Sequence, residues 1–449
     1  MMWGRSRPRG LRGARLLSAA GALAASLAAC GAPSRATTAS TVPARYAAGL
    51  LTETLVDPSR PTPANGTSPG HPGRTLAVTV FYPSRPTSSF RSVAPPDRRA
   101  APYPLLVFAH GFPSSPDGYT RLLQAWASSG YVVAAPTFPL TNPNAPGGPD
   151  LADYVNQPGD LSFVVTQLEA QSRAPRGTLS GMVDPEAVGA AGHSLGGVTT
   201  LGLVADSCCQ DARVKAAVVM AGDQLTYPNG HAEFPAIPLL FVHGSADPVV
   251  PYASGIVAFD AASAPKGLLT IRGGDHEAPV AGDAFDTVVR TTRAFFDLYL
   301  KHSGTSARLR ADGNTGRTTL AYAPRPGERL VLPVPKATTG DLRASVVPAT
   351  GLTDGQQVEV SWQGYSPGVT VNVLECSVPV TGAQDCDLHR SKVGIPDPSG
   401  TGSVGFEVHT GPIGTGTCDA AHPRCVVVVN EGGSSNPSDT VLTTVSFGN

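Results

Sequence analysis

Apolar runs alternate with amphipathic stretches over residues 44 to about 310, and this alternation constrains the fold more than any other feature. The runs are almost continuously apolar, which is typical of parallel strands that are covered on both faces. The stretches between them have a helical period, and a last helix is expected at about 283–301. We predict an α/β fold with a doubly wound, mostly parallel sheet over 44–314. The runs are TLAVTVFY, PLLVFAH, YVVAAP, AVGAAG, VKAAVVMAG, PLLFVHG and GLLTI.

The stretch GHSLGG at 192–197 begins on the last glycine of AVGAAG and precedes the helical pattern VTTLGLVADS. A serine between glycines at a strand-to-helix turn is typical of a nucleophile elbow. Gly192 and Gly196 would let the strand and the helix approach closely. We predict that Ser194 is the nucleophile and that the N–H of Leu195 helps to bind an oxyanion. A glycine-rich loop without chemistry is the alternative interpretation.

A serine nucleophile needs a general base, and the base needs a carboxylate that fixes its tautomer. In a sheet of this kind an acid and then a histidine follow at the ends of later strands. PLLFVHG is followed by SADPVVP, which contains Asp247, and GLLTI is followed by RGGDHEAP, which contains His276. We predict that Asp247 and His276 complete a triad with Ser194.

Other histidines and carboxylates compete for these two roles. His193 adjoins the serine on a sharp turn, where neighbouring side chains point apart, and is expected to pack or hydrogen-bond beneath the elbow. His243 sits inside a strand end, and His231 lies in the loop YPNGHAEFP. Asp223 follows VKAAVVMAG and is the strongest rival for the acid, whereas Asp275 adjoins the predicted base and could not easily orient it.

The second oxyanion donor should come from the loop after the third strand of the fold. PLLVFAH runs directly into GFPSS, which places Gly111 and Phe112 in that loop. We expect the N–H of Phe112 to be this donor, and Gly111 to let the backbone come close.

Residues 44 to about 310 resemble an α/β-hydrolase, and more narrowly the secreted bacterial esterases similar to platelet-activating-factor acetylhydrolases, chlorophyllases and cutinase-like polyester-cleaving enzymes. The resemblance implies hydrolysis of carboxylic esters through an acyl-enzyme, without metal or organic cofactor, on a lipid-like, small acyl or polyester substrate. Two alternatives stay open: a catalytically inactive binding lipoprotein with this fold, and a peptidase of the same fold. The stretches that carry the resemblance are LVDPSRPTPANG, VTVFYP, FAHGF, NQPGDLSFV, GHSLGG, GSADPVVP and GGDHEAP.

The amino-terminal segment is typical of an exported protein. Five arginines precede an apolar run at 16–28 that is too short to span a bilayer as a mature helix. The run ends in LAAC, which resembles a bacterial lipoprotein processing site with Cys30 as the lipidated residue. We expect a signal peptide at 1–29, a disordered tether at 30–43 and an extracytoplasmic protein held to the membrane by a lipid on Cys30. An ordinary secretory peptide, cut at a nearby small residue, is the alternative.

The charge balance argues against nucleic-acid binding. The formal net charge is -1, and the sequence has no long basic or acidic run. We therefore expect neither a nucleic-acid surface nor an electrostatic membrane anchor.

The last part of the chain has a different pattern. Residues 315–340 are rich in Pro, Arg and Thr and are expected to form a linker or a packed tail. Residues 341–449 alternate short strand patterns with Gly and Pro turns, which predicts an all-β antiparallel sandwich. PATGLTDGQQVEVSWQGYSPG and VTVNVLEC resemble the neocarzinostatin-like immunoglobulin-type sandwich. We expect this domain to be a spacer or to bind a surface ligand weakly.

Six cysteines remain when Cys30 is set aside, an even number that suits disulfides in an oxidising compartment. No zinc-type spacing occurs among them. The neocarzinostatin-like resemblance implies two short-range bridges, Cys376–Cys386 and Cys418–Cys425. The adjacent Cys208 and Cys209 either form a bridge, which the compartment favours, or remain two buried thiols, and neither is expected to be catalytic.

Overall fold

The computed structural model describes residues 45–86, 94–328, 330, 342–367, 371–380, 385–387, 390–421, 425–431 and 440–448. The expected signal peptide, the lipidation at Cys30 and the tether lie outside the described residues and stay predictions. Among the described residues, no helix has the length and apolarity that crossing a membrane requires.

A nine-stranded sheet lies at the centre of the first part of the chain, in the order β1-β2-β4-β3-β5-β6-β7-β8-β9. Neighbouring strands from β4 to β8 in this order are parallel, whereas β1, β2 and β9 pair antiparallel with their neighbours. The predicted mostly parallel sheet is confirmed. The strands are β1 (Ala47–Asp57), β2 (Arg74–Ser84), β3 (Tyr103–Ala109), β4 (Val132–Thr137), β5 (Val183–His193), β6 (Val214–Met220), β7 (Leu239–Gly244), β8 (Lys266–Ile271) and β9 (Thr318–Ala323).

Helices cover both faces of this sheet. One apolar core contains Leu161, Leu201 and Phe259, which belong to α2, α3 and α4. A second core contains Trp126 and Phe296 together with Leu309, from α1, α5 and α6. The two separate cores explain why the central strands are apolar on both sides. The helices are α1 (Thr120–Ala127), α2 (Gln157–Arg173), α3 (Leu195–Ala205), α4 (Tyr252–Ala261), α5 (Phe285–Tyr299) and α6 (Ser306–Gly313).

The segment 315–340 is expected from its composition to form a linker or a packed tail. Its first part forms β9, which pairs antiparallel with β8 from Thr318 opposite Ile271 to Ala323 opposite Lys266. Thr318 and Leu320 are buried, whereas Thr319 between them is exposed. This short alternating strand was not identified from the sequence, because it lies in a segment of polar composition. Strand β1 was likewise not identified from the sequence. The expected domain bounds stay predictions.

A buried ion cluster joins β2 to the beginning of α2. Arg74 is fully buried and donates to Asp153 at 3.0 and 2.6 Å and to Asp160 at 2.6 Å. Burial opposes the charge of Arg74, but the two carboxylates outweigh this and raise its pKa. Asp160 also pairs with Arg60 at 2.9 Å.

Replacing this cation should destabilise the protein strongly. The variant Arg74→Met leaves two buried carboxylates with fewer partners, and we expect a loss of about 3 to 5 kcal/mol in the free energy of unfolding. Urea denaturation measures this loss. The matched control is Arg308→Met, because Arg308 pairs with Asp312 on the surface and its side chain is 58% exposed. We expect less than about 1 kcal/mol there, and equal losses in both variants would contradict the interpretation.

The carboxyl-terminal domain is an antiparallel sandwich. One sheet has the order β10-β11-β14, a second has the order β13-β12-β17-β18, and β15 pairs with β16. Val360 and Phe406 of the first sheet share a core with Val373 and Val427 of the second. The expected all-β sandwich is thus confirmed. The strands are β10 (Arg343–Val347), β11 (Gln356–Gln363), β12 (Val371–Ser377), β13 (Lys392–Gly394), β14 (Gly402–Val408), β15 (Gly411–Ile413), β16 (Gly416–Cys418), β17 (Cys425–Glu431) and β18 (Thr440–Val445).

Three disulfides are formed among the described residues. Two are the short-range bridges of the sandwich that the resemblance implied. The third joins the adjacent cysteines after α3, so the bridged alternative holds there. The bonded pairs are Cys376–Cys386, Cys418–Cys425 and Cys208–Cys209.

Candidate active site

Ser194 lies on a sharp turn between the end of β5 and the beginning of α3. Its φ of 56° falls in the left-handed region, which costs a non-glycine residue on the order of 1 to 2 kcal/mol. A Cβ on Gly192 would lie 2.0 Å from the carbonyl oxygen of Gly196, and one on Gly196 would lie 2.0 Å from that of Ala109. Both positions therefore require glycine, and the turn has the geometry of a nucleophile elbow.

His276 connects Ser194 to Asp247. Its Nε2 is 2.8 Å from the Oγ of Ser194, and its Nδ1 is 2.8 Å from the Oδ2 of Asp247. An ionised carboxylate only accepts hydrogen bonds, so Nδ1 carries the hydrogen and the lone pair of a neutral ring lies on Nε2. Nε2 can then accept the proton of the serine hydroxyl. The structure brings together the three side chains that the sequence predicts, from the ends of β5, β7 and β8.

Asp247 is held as a carboxylate by several donors. Its Oδ1 accepts from the N–H groups of Val249 and Val250 at 2.8 and 2.9 Å. Burial alone would raise the pKa of Asp247, but hydrogen bonds from His243, His276 and these two N–H groups outweigh it and lower the pKa. The group is therefore charged at neutral pH and can stabilise a positive imidazolium.

The competing residues take other positions. His243 is buried at the end of β7, where its Nε2 lies 2.9 Å from the carbonyl oxygen of Val250 and 3.4 Å from Asp247. His231 is exposed and bonds to Ser207. Asp223 accepts from the N–H of Gln224, and the Nδ1 of His276 pairs with Asp247 instead of this rival.

The loop after β3 lies directly beside the serine. A Cβ on Gly111 would be 3.1 Å from the Cβ of Ser194, so a side chain here would push its neighbours aside by a few tenths of an ångström. Phe112 and Leu195 belong to one apolar cluster. Within residues 45–86 and 94–328, no backbone hydrogen bond engages the N–H of Phe112 or of Leu195. Both groups are thus available to an oxygen that binds at the elbow.

His110 connects this loop by hydrogen bonds to the segment after β4. Its Nδ1 is 2.8 Å from the carbonyl oxygen of Gly111, and its Nε2 accepts from the N–H of Phe138 at 3.1 Å. Burial lowers the pKa of His110 to about 4, so the ring stays neutral and keeps one donor and one acceptor.

Two family models match the chain, and their ranges overlap at residues 344–366. The family model for the alpha/beta hydrolase family matches residues 106–366, which is more than half of the chain. The chain belongs to the alpha/beta hydrolase family. The model for the neocarzinostatin family matches residues 344–447, so this hydrolase has a carboxyl-terminal neocarzinostatin-family domain.

The similar proteins fall into two groups. The carboxyl-terminal domain is 36% identical over 111 residues to the antitumor antibiotic C-1027 apoprotein of Streptomyces globisporus, covering 23% of this chain and 74% of that protein. It is 33% identical over 113 residues to apokedarcidin of an actinomycete, and this match covers 23% of this chain and 96% of apokedarcidin. A solved ferulic acid esterase from Streptomyces cinnamoneus is 24% identical, with a TM-score of 0.47, and the match covers 63% of this chain and 98% of that one.

The loop after β3 that contains Gly111 and Phe112 is called the oxyanion loop here, after the role expected of it. An apolar cluster, which we call the elbow wall, includes Phe112 of this loop. Four of its residues are partly exposed, including Phe112 and the bridged Cys209. The remaining four are buried, and they include Leu195 at the elbow. An apolar substituent on a carbonyl bound at the elbow would therefore find an apolar surface. The members are Phe112, Tyr154, Val155, Leu195, Val198, Cys209, Leu225 and Tyr227.

Among the described residues, one group of side chains could offer ligand atoms to a metal ion. The donor atoms of His193, His276 and Glu277 lie within 4.8 Å of one another. Both ring nitrogens of His276 already bond within the triad, and the Nε2 of His193 bonds to the carbonyl oxygen of His276. A metal at this place would have to displace these hydrogen bonds, so the arrangement favours proton transfer over metal binding.

Two further residues near the triad were not identified as contributors from the sequence. His243 contacts the carboxylate of Asp247, and Tyr119 hydrogen-bonds to the backbone of the oxyanion loop. No motif marks Tyr119, because its place depends on the packing of the turn that precedes α1.

Proposed function

We propose that this hydrolase cleaves carboxylic esters through an acyl-enzyme formed on Ser194. The observation that carries the proposal is the continuous hydrogen-bonded series from the Ser194 hydroxyl through His276 to the charged Asp247. This series supplies a nucleophile, a base with its lone pair directed at that nucleophile, and a charge that stabilises the protonated base.

The reaction follows from these positions. As the Oγ of Ser194 attacks the ester carbonyl, its proton passes to the Nε2 of His276, and the carbonyl oxygen becomes negative. The N–H groups of Phe112 and Leu195 then donate to this oxygen, which is typically worth about 3 to 4 kcal/mol per donor. His276 returns the proton to the leaving alcohol. A water molecule, activated by the same histidine, releases the acid and frees the serine.

The substrate class is proposed from the elbow wall. Its apolar residues beside the oxyanion loop suit lipid-like, small acyl or polyester substrates, in which an apolar group adjoins the carbonyl. The proposed localisation is extracytoplasmic, which the three formed disulfides support. We keep Cys30 as the proposed lipid attachment, with secretion as its alternative. The relative named as the antitumor antibiotic C-1027 apoprotein supports a small-ligand role for the carboxyl-terminal domain, beside the spacer or weak surface-binding role expected from the sequence.

The function is tested with a panel of p-nitrophenyl esters and a fluorophosphonate probe. We expect a burst of p-nitrophenol equal to the enzyme concentration, followed by steady turnover, and one covalent label per chain. A protein that neither turns over these esters nor reacts with the probe would be a binding lipoprotein with this fold. Peptide turnover that exceeds ester turnover would show a peptidase instead.

A further inference from the structure

Three hydrogen bonds connect the oxyanion loop to the backbone of the general base. The N–H of Gly111 lies 3.0 Å from the hydroxyl of Tyr119, that hydroxyl lies 3.1 Å from the Nδ1 of His193, and the Nε2 of His193 lies 2.8 Å from the carbonyl oxygen of His276. Tyr119 is 6% exposed and His193 is 1% exposed. We call this series the buried relay. It joins the loop after β3 to the loop after β8 through His193, the last residue of β5.

Each hydrogen in the buried relay has one position. The carbonyl oxygen of His276 only accepts, so the Nε2 of His193 carries a hydrogen. Burial lowers the pKa of His193 to about 4, and the neutral ring therefore has a bare Nδ1. The hydroxyl of Tyr119 must donate to that nitrogen, and its oxygen accepts from Gly111. Burial also raises the pKa of Tyr119 to about 12, which keeps this hydroxyl protonated.

The buried relay lies close to Ser194 and His276. A Cβ on Gly111 would be 3.0 Å from the hydroxyl of Tyr119 and 3.1 Å from the Cβ of Ser194. The ring centroids of His193 and His276 are 4.9 Å apart. A displacement of Tyr119 or His193 would therefore be transmitted both to the residue before Phe112 and to the base.

We propose that Tyr119 and His193 are positioning residues that hold the oxyanion donor at Phe112 and the imidazole of His276 at a fixed separation around Ser194. The inference rests on the proposed function. Its physical reason is that catalytic groups must be held to a fraction of an ångström, and this series joins backbone atoms of the two loops that carry Phe112 and His276. The relay supplies that link with buried, fully paired polar groups.

The test is a comparison of Tyr119→Phe, His193→Phe and the double variant. We expect each single variant to lower kcat and kcat/KM for p-nitrophenyl acetate together by about 10-fold or more, with KM within about 2-fold. The double variant should lose no more of its kcat than the less active single variant, because both substitutions break the same series of hydrogen bonds. His193→Gln, which keeps a donor and an acceptor, should recover part of the activity that His193→Phe loses.

The matched control is Tyr82→Phe. Tyr82 is fully buried and donates to the carbonyl oxygen of Ala94 at 2.8 Å, so the variant also removes one buried hydroxyl from a hydrogen bond. Its thermal midpoint should fall about as far as that of Tyr119→Phe, while its kcat stays at the wild-type value. If Tyr119→Phe keeps the wild-type kcat, or if Tyr82→Phe loses as much, the positioning role is wrong and the esterase function still stands.

A spectroscopic measurement separates this inference from the function itself. Nitrogen-15 NMR of the full chain should show His193 neutral at pH 7, with the hydrogen on Nε2, and Tyr119→Phe should shift its Nδ1 resonance. A ring protonated on Nδ1 would overturn the relay whatever the activity. A wild-type chain that hydrolyses no ester, yet shows the expected tautomer, would instead end the proposed function and the positioning role that depends on it.

Discussion

The variant Ser194→Ala should lose about 10⁴ to 10⁶-fold in kcat toward p-nitrophenyl esters. The variant removes the atom that would carry the acyl group, so His276 would have only water to activate. Its fold should persist, because the close approaches at the elbow involve Gly192, Gly196 and backbone atoms, not the serine hydroxyl. A residual rate above that in water should remain, since the N–H groups of Phe112 and Leu195 still bind the carbonyl oxygen.

Steady-state kinetics and labelling by the fluorophosphonate probe measure this loss together. The matched control is Ser207→Ala, because Ser207 follows the same helix α3 and its hydroxyl bonds to the exposed His231. That variant should keep the wild-type kcat and its covalent label. If Ser194→Ala retained more than a few per cent of the activity or still took the label, the nucleophile would be another residue.

The elbow and the order of its partners could be predicted from the sequence because both depend on local chemistry and on strand direction. Only glycine fits at 192 and 196, so the glycines of GHSLGG already indicate the sharp turn. The carboxyl ends of parallel strands meet at one edge of a sheet, so residues after β5, β7 and β8 converge although Asp247 and His276 are 29 residues apart.

The buried relay and β9 could not be predicted because they depend on contacts between distant segments. Tyr119 and His193 are 74 residues apart, and no sequence pattern near either residue indicates that their side chains form a hydrogen bond. The pattern next to Ser194 indicated only that His193 packs or bonds beneath the elbow. For Thr318–Ala323, the six residues form a strand because β8 offers an unpaired edge, which is a property of the assembled sheet.

The second large effect is expected for Asp247→Asn, with kcat lowered about 10⁴-fold. In the wild type, the Oδ1 of Asp247 accepts from Val249 and Val250, so an amide oxygen would remain there and the amide nitrogen would face the Nδ1 of His276. An amide N–H donates, which forces Nδ1 to accept and places the ring hydrogen on Nε2. The base then presents a hydrogen to Ser194 where the reaction needs a lone pair.

The Asp247→Asn amide would also face His243, whose Nε2 lies 3.4 Å from the carboxylate. The Nε2 hydrogen of His243 is shared between the carbonyl oxygen of Val250 and this carboxylate, so in the variant it would meet a second donor, the amide N–H. The imidazolium of His276 would also lose its nearest negative charge. Raising the pH should not restore kcat, because the defect is the tautomer and not a lost proton.

The matched control for Asp247→Asn is Asp223→Asn, the rival acid after β6, which should keep kcat within a few-fold of the wild-type value. If Asp223→Asn caused the larger loss, His276 would take its orientation from Asp223 during turnover, and the contact with Asp247 would belong to a resting arrangement only.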